Sequence, residues 1–236
     1  MPIPKVIYQT WKTKNLHPNC INVKNNIQAL NPDYEIILYD DMEADQFIRY
    51  NFDEYTYKCF SQLNIGASRA DFWRYCILYI NGGIYLDMDA DITRPLDELI
   101  QEDDKGIITR ESHNEIFNQW ILIFEKEHPI MKKSIENCCY NISNKTTHDI
   151  YYLTGPRLFT KSVNEVLCRY YNKPVSNLYN ETDTQLNSVL NNSSSPVRCR
   201  FFGIDMNQFA SYHHTYHQYL YHNTTYWKHD KNPLYK

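Results

Sequence analysis

Residues 82–91 read GGIYLDMDAD, and where this apolar run ends three aspartates stand at alternate positions, Asp87, Asp89 and Asp91. Carboxylates gathered this closely repel one another unless a positive charge sits among them. Alternate side chains of an extended strand share a face, so Asp87 and Asp89 would project together with Cα atoms roughly 6–7 Å apart. Two such carboxylates suit one hard divalent cation, Mg²⁺ or Mn²⁺, that keeps open positions for water or phosphate oxygens. A calcium loop of the D-x-D-x-D…E kind would use Asp87, Asp89, Asp91 and Glu98. It would place Ile92 where the sharp turn wants glycine, Pro95 at a further ligand position, and a strand where a helix should lead in. The plainest alternative is a solvated acidic turn, because a bare D-x-D is a weak motif taken alone.

A second pair of charges precedes the aspartates. Asp71 and Arg74 lie three apart in ADFWRYCILYI, an otherwise apolar segment with helical spacing at Ala67, Ala70, Trp73 and Ile77. Residues i and i+3 of a helix are neighbours, so the two share a face. Charges on an apolar helix need partners or a ligand. The C-terminal stretch 212–230 holds five of the nine histidines, among them His222.

These residues must be positioned by the elements around them. KVIYQTW (5–11) and YEIILYD (34–40) read as buried strands, and apolar residues at 23, 27 and 30 give a helix over 21–30. Asp40 or Asp41 caps the next helix, and another covers 53–63. The helix bearing Asp71 and Arg74 ends at Gly82 or Gly83, and GIYLDMD follows as a third strand. A Pro-led helix at 95–100, a strand at 106–110 and helices from Pro129 and Pro156 come next. Periodicity leaves 116–124 open between helix and strand. A polar loop from 191 leads into a last strand ending near 204. Strand–helix alternation with short connectors implies an α/β sheet, mostly parallel.

The whole chain is 236 residues, enough for one sizeable core, and is read as a single domain over 1–236. A net charge of −4 without a basic run argues against a nucleic-acid partner. No apolar stretch approaches the ~20 residues needed to span a bilayer. Seven cysteines without metal spacing suit free thiols in a reducing compartment, so the expected location is cytoplasmic; the lack of an apolar anchor segment suggests a bacterial or viral source. Most of the 21 tyrosines are expected to fill and edge the core.

The strings IPKVIYQTW, NPDYEIILYDD, SRADFWRYCILYINGGIYLDMDADITRPLDEL, FNQWILIFEKEHPI and YYLTGPRLFTKSV occur in that order. Together they resemble the DXD-containing glycosyltransferases of the yeast initiating α-1,6-mannosyltransferase type, glycosyltransferase family 32. More distantly they resemble the catalytic domains of clostridial glucosylating toxins. The resemblance runs from residue 3 to about 170. It implies a GT-A fold, a Rossmann-like sheet flanked by helices, with a nucleotide-sugar donor bound at the strand ends. It also implies Mn²⁺ or Mg²⁺ and hexose transfer with retention of configuration. Carried over by residue, Asp87 and Asp89 are the metal-binding pair, Asp71 meets sugar hydroxyls and Arg74 meets sugar or diphosphate. Trp11 stacks on the base, with Gln9 and Tyr85 beside it in the nucleotide-sugar set. Thr154 and Gly155 form a sugar- or acceptor-side loop, whereas Gln119, Trp120 and His128 are read as structural. The family's C-terminal His/Trp pattern is matched only loosely by His222-Asn223-Thr224-Thr225-Tyr226-Trp227, which makes His222 the candidate third metal ligand. The segment from about 190 to 236 is expected to close over the donor. Tyr8 stands where many relatives carry His.

The donor reads as GDP-mannose or a UDP-hexose, and the acceptor as a glycan, lipid or protein. Two rival functions use the same residues. A glycoside hydrolase would employ Asp87 and Asp89 as acid and base, but neighbours on one strand end are poorly differentiated for that task. A non-enzymatic glycan- or calcium-binding module would bind metal without nucleotide.

Overall fold

The computed structural model describes residues 2–110, 116–171, 197–201, 209–212, 217–221 and 226–236. Its centre is a six-stranded sheet. Strand β1 (Val6–Thr10) lies between β2 (Glu35–Tyr39) and β3 (Gly83–Leu86) and is parallel to both. Beyond β3 come β6 (Ile121–Phe124), β5 (Gly106–Ile108) and β7 (Arg200–Phe201), giving the order β2-β1-β3-β6-β5-β7. Of the five pairings three are parallel, and the two made by β6 are antiparallel. A separate antiparallel pair joins β4 (Ala90–Ile92) to β8 (Ala210–Tyr212).

The sheet is covered on both faces, which period-two alternation makes possible. Tyr85, Leu122 and Phe124 point to one side, into a core built with α2 (Asp41–Asn51), α3 (Glu54–Gln62), α4 (Gly66–Asn81), α5 (Pro129–Asn144) and α7 (Pro156–Tyr171). Ile84, Leu86, Ile121 and Ile123 point to the other, against Val23 and Ile27 of α1 (Pro18–Leu30). All four residues of β6 are buried. A strand buried on both faces is apolar throughout, so 116–124 carried no periodicity to read.

Local chemistry explains the boundaries. Helix α1 begins at Pro18, three residues before the expected start, because His17 caps it: its Nδ1 accepts from the Asn19 N–H at 3.2 Å. Asp40 caps α2 in a reciprocal box with Glu43. The segment expected as a helix at 95–100 is a short 3-10 turn, Leu96–Glu98. Helix α4 is buried from Phe72 to Leu78 and stops at Gly82, whose φ is +67°. A Cβ there would stand 2.6 Å from the Lys126 backbone nitrogen. Gly82→Ala is therefore expected to cost about 2–3 kcal/mol, through a left-handed backbone and a contact the neighbouring chain cannot yield. Urea unfolding would measure it, and a loss below about 0.5 kcal/mol would contradict the assignment.

His128 is fully buried at the start of α5, and its Nδ1 accepts the Ile130 N–H at 3.2 Å. Burial, with Lys105 nearby, pulls its pKa down to about 3. The folded protein thus holds fewer protons here than the unfolded chain between pH 6.5 and 3, and stability falls as the solution is acidified through that window. At pH 5 the loss from this group alone should approach about 2 kcal/mol relative to neutral pH. His128→Asn keeps a capping side chain without the titration, so its stability should fall less between pH 7 and 5. Equal slopes in urea titrations of both proteins would contradict this.

Candidate functional site

The carboxyl ends of the parallel strands β1, β2 and β3 open onto one cleft of about 420 Å³. Each strand hands it a side chain just beyond its end: Trp11 after β1, Asp41 after β2 and Asp87 after β3. Ligand sites of open α/β sheets lie at such strand ends.

The aspartates leave the strand differently from the extended reading. Strand β3 stops at Leu86, and Asp87-Met88-Asp89 form a tight turn closed by the Ala90 N–H donating to the Asp87 carbonyl at 3.1 Å. One more ladder bond, from the Asp87 N–H to the Trp120 carbonyl at 2.8 Å, fixes where the turn starts. Both carboxylates line the cleft. Asp91 instead sits on β4 opposite Ser211 and is not a lining residue.

Helix α4 supplies the countercharge. Arg74 Nη2 lies 3.1 Å from Asp71 Oδ1 and 3.1 Å from Asp87 Oδ1, and Nη1 donates to the Gln119 carbonyl at 2.7 Å. Its guanidinium lies over the Tyr85 ring at 4.4 Å, and the Tyr85 hydroxyl donates to Asp87 Oδ1 at 2.6 Å. Burial opposes the arginine's charge, but Asp87, Tyr85 and Asp71 more than restore it and hold its pKa above the ordinary value. Asp71 also accepts from the Gln119 amide at 3.1 Å and from the Thr154 hydroxyl at 3.0 Å. Burial raises the Asp71 pKa, against the pull of Arg74 and Thr154. Asp87 is raised as well, by burial first and then by the Asp89 charge, with Arg74 and Tyr85 opposing.

Two hard-oxygen donors on one turn, with repulsion that a cation would relieve, fit a divalent ion. Among the described residues no set of three His, Cys, Asp or Glu side chains gathers around a common point. His222, the expected third ligand, lies outside the described residues.

The other sequence-derived candidates divide. Trp11 lines the cleft and meets Tyr221 edge to face at 5.2 Å. Asp71, Arg74 and Tyr85 line it too. Gln9 is buried within β1, paired with Leu38, and does not line the cleft. Thr154 is fully buried and reaches the cleft through Asp71. Gly155 is also off the cleft wall; a Cβ there would stand 2.9 Å from the Ile150 carbonyl oxygen in α6 (Ile150–Leu153). Gln119, read as structural, lines the cleft while orienting Asp71. A polar residue leading into an all-apolar strand was the signal available for it. The C-terminal part adds Leu220, at the end of α8 (His217–Leu220), and Tyr221, Tyr226, Lys228 and Asp230 to the wall.

Two further residues of α4, Arg69 and Trp73, line the cleft. The Arg69 guanidinium pairs with Asp45 at 3.2 Å and lies over the Phe60 ring at 4.2 Å, yet its Nη1 is buried without a hydrogen-bond partner. The Trp73 indole nitrogen is in the same state. A buried orphan donor costs on the order of 1–3 kcal/mol.

A Rossmann-like sheet with an acidic turn at its carboxyl edge and a buried Arg–Asp cluster behind it matches the GT-A architecture. Residues 17–105 match the family described as "Glycosyltransferase sugar-binding region containing DXD motif", and the chain carries that region. Inositol phosphoceramide mannosyltransferase 3 of Schizosaccharomyces pombe is 34% identical over 135 residues, covering 57% of this chain and 37% of that protein. The initiation-specific α-1,6-mannosyltransferase of Candida albicans is 23% identical over 214 residues, covering 73% of this chain and 55% of that protein. The chain thus spans between about a third and a half of the length of these relatives. Among solved structures, PaToxG glycosyltransferase superposes with a TM-score of 0.60 at 20% identity, covering 83% of this chain and 79% of that one. That likeness establishes the GT-A architecture. Among the described residues no helix is long and apolar enough to cross a membrane.

Proposed function

We propose that this chain transfers a hexose from a nucleotide-sugar, GDP-mannose or a UDP-hexose, to a glycan, lipid or protein hydroxyl, with retention of anomeric configuration. The observation that carries the reading is the Asp71–Arg74–Asp87–Tyr85 cluster, held by α4 behind the acidic turn and opening into the cleft that Trp11 lines. The relatives named as mannosyltransferases support a hexosyl donor.

Asp87 and Asp89 would hold Mn²⁺ or Mg²⁺. The ion supplies Lewis-acid stabilisation of the charge left on the departing diphosphate. Arg74, locked between two carboxylates, adds a fixed positive charge close by. Asp71 Oδ1 is taken by Gln119 and Arg74, while Oδ2 holds the Thr154 hydroxyl and keeps acceptor capacity for a sugar hydroxyl. Trp11 offers a face for the base, and Leu220, Tyr221, Tyr226, Lys228 and Asp230 cover the donor and limit water. In the transfer, the acceptor oxygen bonds to the anomeric carbon on the face from which the phosphate oxygen departs. That departing oxygen receives the acceptor proton. A sugar trapped covalently on any side chain during turnover would overturn this front-face course.

The test is a panel of common nucleotide-sugars assayed with Mn²⁺, reading release of free sugar and nucleoside diphosphate. Metal-dependent release from one donor class is expected. UDP and GDP titrations with and without Mn²⁺ separate the rivals: metal binding without nucleotide affinity would favour a binding module instead.

A further inference from the structure

Residues 233–236 run alongside the link between α3 and α4. Tyr235 bridges Leu63 in antiparallel register. The Asn64 N–H donates to the Leu234 carbonyl at 3.0 Å, and the Lys236 N–H donates to the Gln62 carbonyl at 2.8 Å. The Asn64 side-chain amide adds a bond to the Pro233 carbonyl at 2.9 Å. Leu234 is buried in the same apolar core as Leu63 and Phe60. Tyr235 reaches the loop after α5, where its hydroxyl donates to the Thr147 carbonyl at 3.1 Å and its ring meets His148 edge to face at 5.9 Å. Ordering such a run costs conformational entropy, which the buried leucine and these bonds offset.

The residues just before this run form part of the cleft wall: Tyr226, Lys228 and Asp230 all line it. Lys228 sits in a short 3-10 turn, Trp227–His229. Asp230 then accepts the Asn232 N–H at 3.0 Å, a local turn that leads the chain into the docked run. On its other side the wall is held by aromatic contacts, Tyr226 against Tyr221 at 5.0 Å and Tyr221 against Trp11 at 5.2 Å. The link that receives the docked run continues directly into Gly66, the first residue of α4, and α4 carries Asp71 and Arg74. Gln62, Leu63 and Asn64 thus hold this wall and the start of the Arg–Asp helix in one frame.

Resting on the nucleotide-sugar reading above, we propose that Leu234 and Asn64 are positioning residues, which dock residues 233–236 and so keep Tyr226, Lys228 and Asp230 in place over the bound nucleotide. Neither lines the cleft; both act through the wall they anchor. If the run undocks, only a fraction of the molecules present the complete wall, and the apparent affinity for nucleotide falls by that fraction. The acidic turn and the Arg74 cluster are held by separate contacts, so they stay in place when the run is released.

The test is calorimetric titration of GDP and of UDP, at saturating Mn²⁺, into the parent protein and three variants. Leu234→Ala removes the buried anchor and should weaken binding of the preferred nucleotide at least about tenfold. Asn64→Ala deletes one bond at the surface and should weaken it by about threefold or more. Gly82→Ala is the control: it lowers stability at the amino end of β3, away from the cleft, and should change nucleotide affinity less than about twofold. A general loss of stability would move the Gly82 and Leu234 variants alike, and that result overturns the proposal. Parental affinity in both Leu234→Ala and Asn64→Ala also overturns it and leaves the transferase reading standing. Should Leu234→Ala fail to fold, Asn64→Ala decides alone, and unchanged affinity there overturns the proposal. A parent protein that binds neither nucleotide removes the nucleotide-sugar reading and this inference with it.

Discussion

Replacing Asp89 by alanine is expected to lower metal-dependent turnover at least about a hundredfold, on the order of 3 kcal/mol, the scale of losing one major charge-stabilising element. Asp89 is buried and lines the cleft on the same turn as Asp87. Asp91 is the natural control: it belongs to the same acidic run but stands on β4, off the cleft wall. Asp91→Ala should keep most of the activity. Rates measured across a Mn²⁺ series, with circular dichroism to confirm folding, would decide. Normal turnover by the Asp89 variant would sink the metal assignment, and equal losses from both would point to general disturbance of the segment.

The second large effect is on stability. Arg74→Met keeps the length and apolar stem of the side chain but removes the charge that separates Asp71 from Asp87. Breaking a buried ion pair by deleting one partner typically costs about 3–5 kcal/mol, because the remaining charge is left uncompensated. Here two carboxylates lose their common partner, and the Gln119 carbonyl loses its donor. A loss of about 3 kcal/mol or more is expected in urea unfolding. Adding Asp71→Asn to the same chain should recover part of it by removing one orphaned charge. A single variant as stable as the parent would mean the cluster is far better solvated than its burial indicates.

The acidic turn and the Asp71/Arg74 pair were legible because charge is conspicuous on an apolar background. The order of elements was legible wherever caps and glycines mark ends, as at Asp40 and Gly82. Two things were hidden for physical reasons. Strand β6 is buried on both faces, so neither its identity nor its reversed direction was written in a hydrophobic period. The second layer of the site was hidden too. Gln119 and Thr154 act on Asp71 across 48 and 83 positions of sequence, and no local pattern records such a contact. Arg69 gives a related lesson. In sequence it is one more helical arginine, and only its burial, with one nitrogen anchored and one left over, marks it out. The exit from β3 corrects the assumed geometry: Asp87 and Asp89 reach the cleft through a turn rather than through strand alternation.

That turn is tethered on both sides. Before it, β3 is hydrogen-bonded between β1 and β6; after it, β4 is hydrogen-bonded to β8 from the far end of the chain. A loop clamped at both ends has surrendered most of its backbone freedom during folding, so little ordering entropy is left to lose when an ion arrives. On the proposed metal reading, cation capture would resemble seating in a rigid socket rather than the cinching of a floppy strap. Discrimination between ions of different radius would follow from that stiffness, because such a socket could not shrink or widen to suit each one.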